Sequence, residues 1–400
     1  MIPSLRHAFN SSYSDAGHQR LIETLTRRCG VPIEFRLSET PCFFPSALLA
    51  DMESAARAMI DQLLNGREYR NAADAIVPPE FRIPNGETSP TFVCVDFGLV
   101  RTGDSVEGRL VELQAFPSLY GFQMALAETA RETWELDGVT PFPNGLDRAT
   151  YLRVVGDAIL GGHDPAEVVL MEIEPERQKT RPDFAITEQL WGVRAIDVRA
   201  VTRRGNQLFY DRDGVSTRIR HVYNRVIPDD VVRTGLTLPF DYRDELDVEW
   251  TGGPDWFFRV SKFSIPFLKH PWIPRTMFLS DVGSRDLVPG WVPGSDEWLL
   301  KPLFSYAGGG IVFGPTQSDI DAIPLAQRHL YVLQERVQFT PVICTPFGPT
   351  QAEIRLMFVH QRSRYVLALP LIRMGRGRMM GVDHNKGLRW VGASAAMIAP

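Results

Sequence analysis

Residues 298–313, WLLKPLFSYAGGGIVF, run an apolar strand into Lys301 and then into three consecutive glycines. That order of parts suits a polyphosphate. The strand fixes where Lys301 emerges, so its ammonium meets phosphate as a point charge. Gly308, Gly309 and Gly310 lack a Cβ, so the backbone there adopts unusual φ/ψ values and brings its N–H groups close to phosphate oxygens. The lysine precedes the glycines, which separates the segment from the G-x-x-x-x-G-K-[ST] loop. A plain hairpin turn is the other reading of a glycine run.

Two further segments carry compatible chemistry. LYVLQERV, 330–337, is an apolar strand ending in Gln334 and Glu335 with Val337 just beyond, the place for a hinge that hydrogen-bonds adenine. In EIRLMFV, 353–359, Glu353 and Arg355 share one strand face by the period of two. A strand-held arginine offers a planar, bidentate grip on phosphate; two solvated charges on an edge strand are the alternative. Residues 91–118, TFVCVDFGLVRTGDSVEGRLVELQAFPS, place two β-branched runs around a Thr-Gly-Asp-Ser turn. A turn centred near residue 104 sets Asp96 directly opposite Glu112, where cross-strand Cβ atoms are about 5 Å apart. Facing carboxylates repel unless a cation sits between them, so the pairing points to a metal ion. Gln114, two residues on, adds a carbonyl oxygen suited to a hard metal ion.

In order and type these segments resemble the ATP-grasp superfamily, whose members hold ATP between two small α+β lobes and join a carboxylate to an amine through an acyl phosphate. The resemblance makes Lys301 the phosphate lysine, Ala307 to Gly310 the glycine-rich lid, Gln334, Glu335 and Val337 the adenine hinge, and Arg355 the catalytic strand arginine near the γ-phosphate. The family's metal ligands, an acidic residue on one strand and Glu-x-Asn on the next, do not follow Arg355 as they should. They stand instead at Asp96 and Glu112, with Gln114 for the asparagine and Phe116-Pro117-Ser118 trailing as in the family. The resemblance is therefore to circularly permuted ATP-grasp proteins, such as the synthetase part of glutathionylspermidine synthetases. It also implies a second phosphate lysine, Lys262 rather than Lys269, and brings Arg373 and Asn385 of the segment 371–387 to the active site.

The positioning elements follow from periodicity. Ser46 to Asn65 places Leu48, Leu49, Met52, Ala55, Met59, Ile60, Leu63 and Leu64 on one helical stripe with Gly66 beyond. A shorter helix over 15–28 ends at Gly30, and 121–136 reads as helix after the hairpin. Residues 147–230 alternate helix and strand, the order of a parallel βαβ unit. There Asn224 and Arg225 lie at a strand end, where open α/β sheets bind ligands. Arg225 is a candidate to hold a substrate carboxylate; a structural salt bridge is its other reading. The expected organisation is a mixed α+β and α/β chain with three parts. Residues 1–146 hold N-terminal helices and the permuted metal hairpin, 147–245 a central Rossmann-like pre-ATP-grasp domain, and 246–400 the ATP-grasp lobes.

Composition narrows the function class. A net charge of −5 over 400 residues with no basic block leaves no electrostatic footprint for nucleic acid. No apolar run approaches 18 residues, and the first segment, MIPSLRHAFNSSYSDAG, has no signal-peptide core, so the expected location is the cytoplasm, with no membrane partner. The four cysteines show no metal or redox spacing. The expected activity is an ATP- and Mg2+-dependent ligase joining a small amino acid, peptide or similar acid to an amine or thiol, with a phosphotransferase or a nucleotide-binding pseudoenzyme as alternatives. The acid, the amine and the oligomeric state are left open.

Overall fold

The computed structural model describes residues 1–282, 291–305, 308–381, 385 and 387–400. Its largest sheet has six strands in the order Cys42–Pro45, Gly392–Ala399, Arg364–Gly375, Gln351–Gln361, Phe92–Thr102 and Ser105–Gln114. The first pair is parallel and the others antiparallel. The hairpin of residues 92–114 thus pairs with a strand some 250 residues further along the chain, which no reading of neighbouring segments requires.

Each face of this sheet has its own core. On one, Val95, Phe97, Ile354, Leu356 and Ile372 pack with Leu49, Met52, Met59 and Leu63 from the helix Ser46–Asn65, whose stripe is the one the periodicity gives. On the other, Phe92, Cys94, Met357, Val359 and Leu371 pack with Tyr151, Val155 and Ile159 of the helix Arg148–Leu160. That second face turns polar along its length. By the period of two, Phe92 and Cys94 are succeeded by Asp96, and Val359 and Met357 by Arg355 and Glu353.

The hairpin reaches its register by two steps. Its turn is the two-residue Gly103–Asp104 loop, closed by the Thr102–Ser105 pair, and Gly103 sits at φ 59°, as such a loop requires. Continued regularly, that ladder would set Asp96 opposite Val111 and send Glu112 to the apolar face. A bulge between Asp96 and Phe97 leaves Val111 as the extra residue and restores Asp96 opposite Glu112 and Cys94 opposite Gln114.

The middle of the chain forms a parallel sheet in the order Glu249–Thr251, His221–Asn224, Val168–Glu172 and Arg194–Asp197. The helix Arg181–Trp191 makes the crossover between the last two, and Val168 to Met171 are fully buried, as in a sheet covered on both sides. A small antiparallel meander, Thr202–Arg204, Gln207–Arg212 and Val215–Ile219, is inserted in it. A second antiparallel sheet, in the order Thr276–Phe278, Tyr331–Glu335, Trp298–Pro302 and Val312–Phe313, carries Lys301. Among the described residues no helix is long and apolar enough to cross a membrane.

Candidate active site

Asp96, 1% exposed, is the centre of a charged cluster on the large sheet. Arg355 grips it in a bidentate pair, Nε to Oδ1 at 2.7 Å and Nη2 to Oδ2 at 2.6 Å, and Arg373 Nη2 reaches Oδ2 at 2.6 Å. Arg373 also pairs with Glu353 at 2.8 Å, and Arg355 Nη2 lies 3.8 Å from Glu112. The carboxamide of Gln114 faces Arg355, so its oxygen is the atom turned to the guanidinium and accepts from both Nη atoms at 2.6 Å.

The cation between Asp96 and Glu112 is therefore a guanidinium. It arrives with Arg355, the register partner of Asp96 on the adjoining strand, and offsets the repulsion of the two facing carboxylates. Three of roughly four lone-pair positions on the Asp96 carboxylate are taken by N–H donors. Gln114 spends its oxygen on Arg355. Glu112, about 30% exposed, keeps most of its oxygens free and is the member of the trio best placed to offer them to a cation.

The lysine sheet contributes the opposite charge. Lys301 is buried and donates to Gln334 Oε1 at 2.5 Å. The Gln334 amide is itself held by Thr276 Oγ1 at 3.0 Å, and the Thr276 hydroxyl donates to Pro274 O, so the carboxamide oxygen must point at the lysine. Burial pulls the Lys301 ammonium down to about 8, with Glu112 and Glu353 opposing and Lys262 adding to the fall. Lys262, likewise buried, donates to Ser305 O at 2.6 Å, and burial lowers it too, against Glu112 and Asp229. Glu112 is thus a charge that both lysines feel, which places the hairpin and the lysine strand in one electrostatic cluster. Burial raises Glu353 to about 7, with Asp96 and Glu112 reinforcing and Arg373 and Arg355 opposing.

Four cations, Lys262, Lys301, Arg355 and Arg373, thus lie among four carboxylates, Asp96, Glu112, Glu353 and, beside Lys262, Asp229, of which Glu353 holds its proton to near neutrality. The surplus is positive and partly desolvated. Buried ammoniums in this state gain from an anion with several oxygens, since each ion pair offsets part of the desolvation already suffered.

Other positions take different roles. Gly308 and Gly310 lie at φ 76° and 72° in the turn after Lys301; a Cβ on Gly308 would stand 2.1 Å from the Met379 methyl, so this turn abuts the 375–381 segment. Gly309 is exposed, and Ala307 falls outside the described residues. Glu335 pairs its carboxylate with Arg275 at 3.3 Å and its amide with Arg275 O; Val337 follows half-buried. Lys269 is exposed, and its backbone amide donates to Gln62 Oε1.

Three expected ligand-holders are spent on structure. Asn224, fully buried, donates to Gly252 O at 2.9 Å and accepts from Val226 N, so it locks the end of its own strand. Arg225 donates from Nη1 to Pro117 O and stacks 4.9 Å over Phe116, which ties the parallel sheet to the segment leaving the hairpin, while its buried Nε has no hydrogen-bond partner. Asn385 accepts from the amides of Arg376 and Gly377 and donates to Met379 O and Gly381 O, a clasp within its own loop. A position at a strand end or in a glycine loop gives a residue's place, not its partners. Conversely, Glu353 in partnership with Arg373, Ser305 under Lys262, and Thr276 behind Gln334 were not anticipated. The first was within reach, because Arg373 is the register partner of Glu353.

A surface cavity of about 670 Å3 lies elsewhere, beside Glu128, Glu132, Asp137 and Arg148, and shares no residue with the cluster.

No protein-family model matches the chain, and no curated protein does. Among solved structures, the apo form of a glutathione synthetase-like effector from Globodera pallida is similar to it, with a TM-score of 0.59 over 96% of this chain and 96% of that one, at 12% identity. The chain accordingly has a mixed α+β, glutathione synthetase-like fold. At this identity the likeness is one of architecture.

Proposed function

We propose that the protein is an ATP- and Mg2+-dependent ligase of the ATP-grasp type, in the circularly permuted arrangement, which joins a small carboxylic acid to an amine through an acyl phosphate in the cytoplasm. The observation that carries this reading is the pair of buried lysines, Lys301 and Lys262, set electrostatically against the Asp96–Arg355–Arg373–Glu353 network and Glu112. The glutathione synthetase-like fold and the pairing of the 92–114 hairpin with the 351–361 strand support it.

In this reading Lys301 and Lys262 hold the polyphosphate as point charges, the Gly308–Gly310 turn contributes backbone N–H groups, and Gln334 keeps the Lys301 ammonium aimed. The hinge of Glu335 and Val337 takes the base. Arg355 and Arg373 bind and orient oxygens of the transferring phosphate and of the substrate carboxylate, a task their planar forks suit. Magnesium, when bound, would neutralise phosphate oxygens; Glu112 would be the residue best placed to hold it, with Asp96 offering the lone pair its arginines leave. Proton removal from the incoming amine falls to Glu353, whose raised value lets it exchange a proton near neutral pH. No protein nucleophile is required.

A second reading, a nucleotide-binding protein without ligase turnover, draws on one observation: two arginines already occupy three of the roughly four lone-pair positions of Asp96. ADP release with Mg2+, measured against pools of amino acids, small peptides and polyamines, separates the two. Release that needs both an acid and an amine is the expected result. Release with an acid or alcohol alone would make it a phosphotransferase, and nucleotide binding with no release from any pool would leave the second reading standing.

A further inference from the structure

At the opposite end of the parallel strands from Asn224, the strands His221–Asn224 and Glu249–Thr251 begin side by side, with His221 and Glu249 as register partners. His163 reaches the same point from the loop that follows the helix Arg148–Leu160. Its Nε2 is 3.3 Å from Glu249 Oε2, and His221 Nδ1 is 3.9 Å from the same oxygen. One ligand atom from each of the three residues falls within 4.8 Å of the others.

The protonation of His221 is fixed by its other neighbour. Thr251 Oγ1 lies 3.1 Å from Ala158 O, and a carbonyl only accepts, so the hydroxyl proton goes there. The Thr251 oxygen must then accept from His221 Nε2 at 3.0 Å, which puts the imidazole proton on Nε2 and leaves a lone pair on Nδ1. That Nδ1 is buried, has no hydrogen-bond partner, and faces a carboxylate oxygen that also carries only lone pairs. The buried Nδ1 lone pair thus calls for a partner, and a cation shared with the Glu249 carboxylate would supply one. The histidine is 3% exposed, and Gly161, at φ 58°, packs against it so closely that a Cβ there would stand 2.4 Å from Nδ1.

We propose that His163 Nε2, His221 Nδ1 and Glu249 Oε2 form a binding site for a zinc-class divalent cation, with Thr251 as the outer partner that orients His221. Two imidazoles and a carboxylate, with water in the fourth position, are a zinc donor set, and bonds of 2.0–2.2 Å in a tetrahedron put neighbouring donors about 3.4 Å apart. The His163–Glu249 distance already matches. Rotation of the exposed Glu249 side chain closes its 3.9 Å distance to His221, and the remaining approach between the two imidazoles, whose ring centroids are 5.6 Å apart, falls to His163 on its loop. The site ties the loop after one helix to the first residues of two strands and touches none of the residues assigned to nucleotide, so it acts on the stability of the central sheet.

The test uses the full chain and ZnCl2 or CoCl2 alone. Calorimetry should give one tight site per chain, cobalt should develop the visible absorption of a tetrahedral complex, and zinc should raise the thermal midpoint. His163→Ala and Glu249→Gln should each weaken the site by at least about tenfold and abolish the cobalt band, while ATP affinity stays as in the wild type. Absence of stoichiometric zinc binding, or unchanged binding in His163→Ala, would overturn the site. The ATP measurement keeps this result separable from the fate of the ligase reading.

Discussion

Replacing Lys301 by methionine is expected to weaken ATP binding by at least about 100-fold while the protein stays folded, with a thermal midpoint near or above that of the wild type. The ammonium is wholly buried, and burial has already lowered it to about 8. A charged hydrogen bond to phosphate is worth about 1.5–3 kcal/mol, and more than one phosphate oxygen is within the reach of an ammonium. Methionine keeps the length of the side chain and removes the desolvated charge. Its one cost is the stranded Gln334 oxygen, about 1–3 kcal/mol, which offsets the gain. Titration calorimetry and thermal melts read the two effects separately, and a variant that binds ATP normally would mean the lysine is structural.

The same side chain gives a pH signature. Only the ammonium attracts phosphate, so ATP affinity should be highest below pH 7 and fall as pH rises through about 8, by up to roughly tenfold per unit beyond it. Glu353 ionises near 7 and adds a weaker fall that persists in the methionine variant, so the difference between the two profiles isolates Lys301. Stability runs the other way. The folded value lies below the ordinary 10.5, so between about 8 and 10.5 the unfolded chain binds more protons, and the Lys301 contribution to stability rises with pH across that window.

How far the site was legible depended on the kind of information each residue needed. Arg355 and Glu353 could be placed on one face because side-chain alternation is a local property. The Asp96–Glu112 pairing was also legible, though the route was not: a turn centred at 104 gives it directly, whereas the protein uses a tighter turn and a bulge at Val111. The counter-ion was not legible. Arg355 pairs with Asp96 across 259 positions, and nothing in either strand's pattern says that they adjoin. The meander at 202–219 did leave a signal, since Asp213-Gly214, both at positive φ, is a turn pair of the two-residue hairpin. It was submerged in a stretch read as alternating helix and strand. The partners of Arg225 and Asn385 were not legible for a different cause: they are main-chain carbonyls and amides, which every segment offers and no sequence distinguishes.

The arginine network divides what the hairpin pattern had made one role. Asp96→Asn keeps the shape of the side chain but turns an N–H2 group toward guanidinium donors and leaves Arg355 and Arg373 short of their shared anion. Breaking a buried ion pair from one side costs about 3–5 kcal/mol, so this variant should unfold at markedly lower denaturant whether or not metal is present. Glu112→Gln should behave otherwise. Its side chain is about a third exposed and lies 3.8 Å from Arg355, so its removal should change stability by no more than about 1 kcal/mol. It should nonetheless abolish the Mg2+ dependence of ATP binding. With the Glu112 charge gone, Lys301 and Lys262 also lose the carboxylate that opposes their desolvation, so the fall of ATP affinity with pH should begin earlier than in the wild type. Chemical denaturation and calorimetry at several Mg2+ concentrations test the division. If Asp96→Asn were as stable as the wild type and lost only its metal response, Asp96 would be the principal ligand and its arginines secondary; if Glu112→Gln kept the full Mg2+ dependence, the hairpin would hold no metal and the four cations alone would have to account for nucleotide binding.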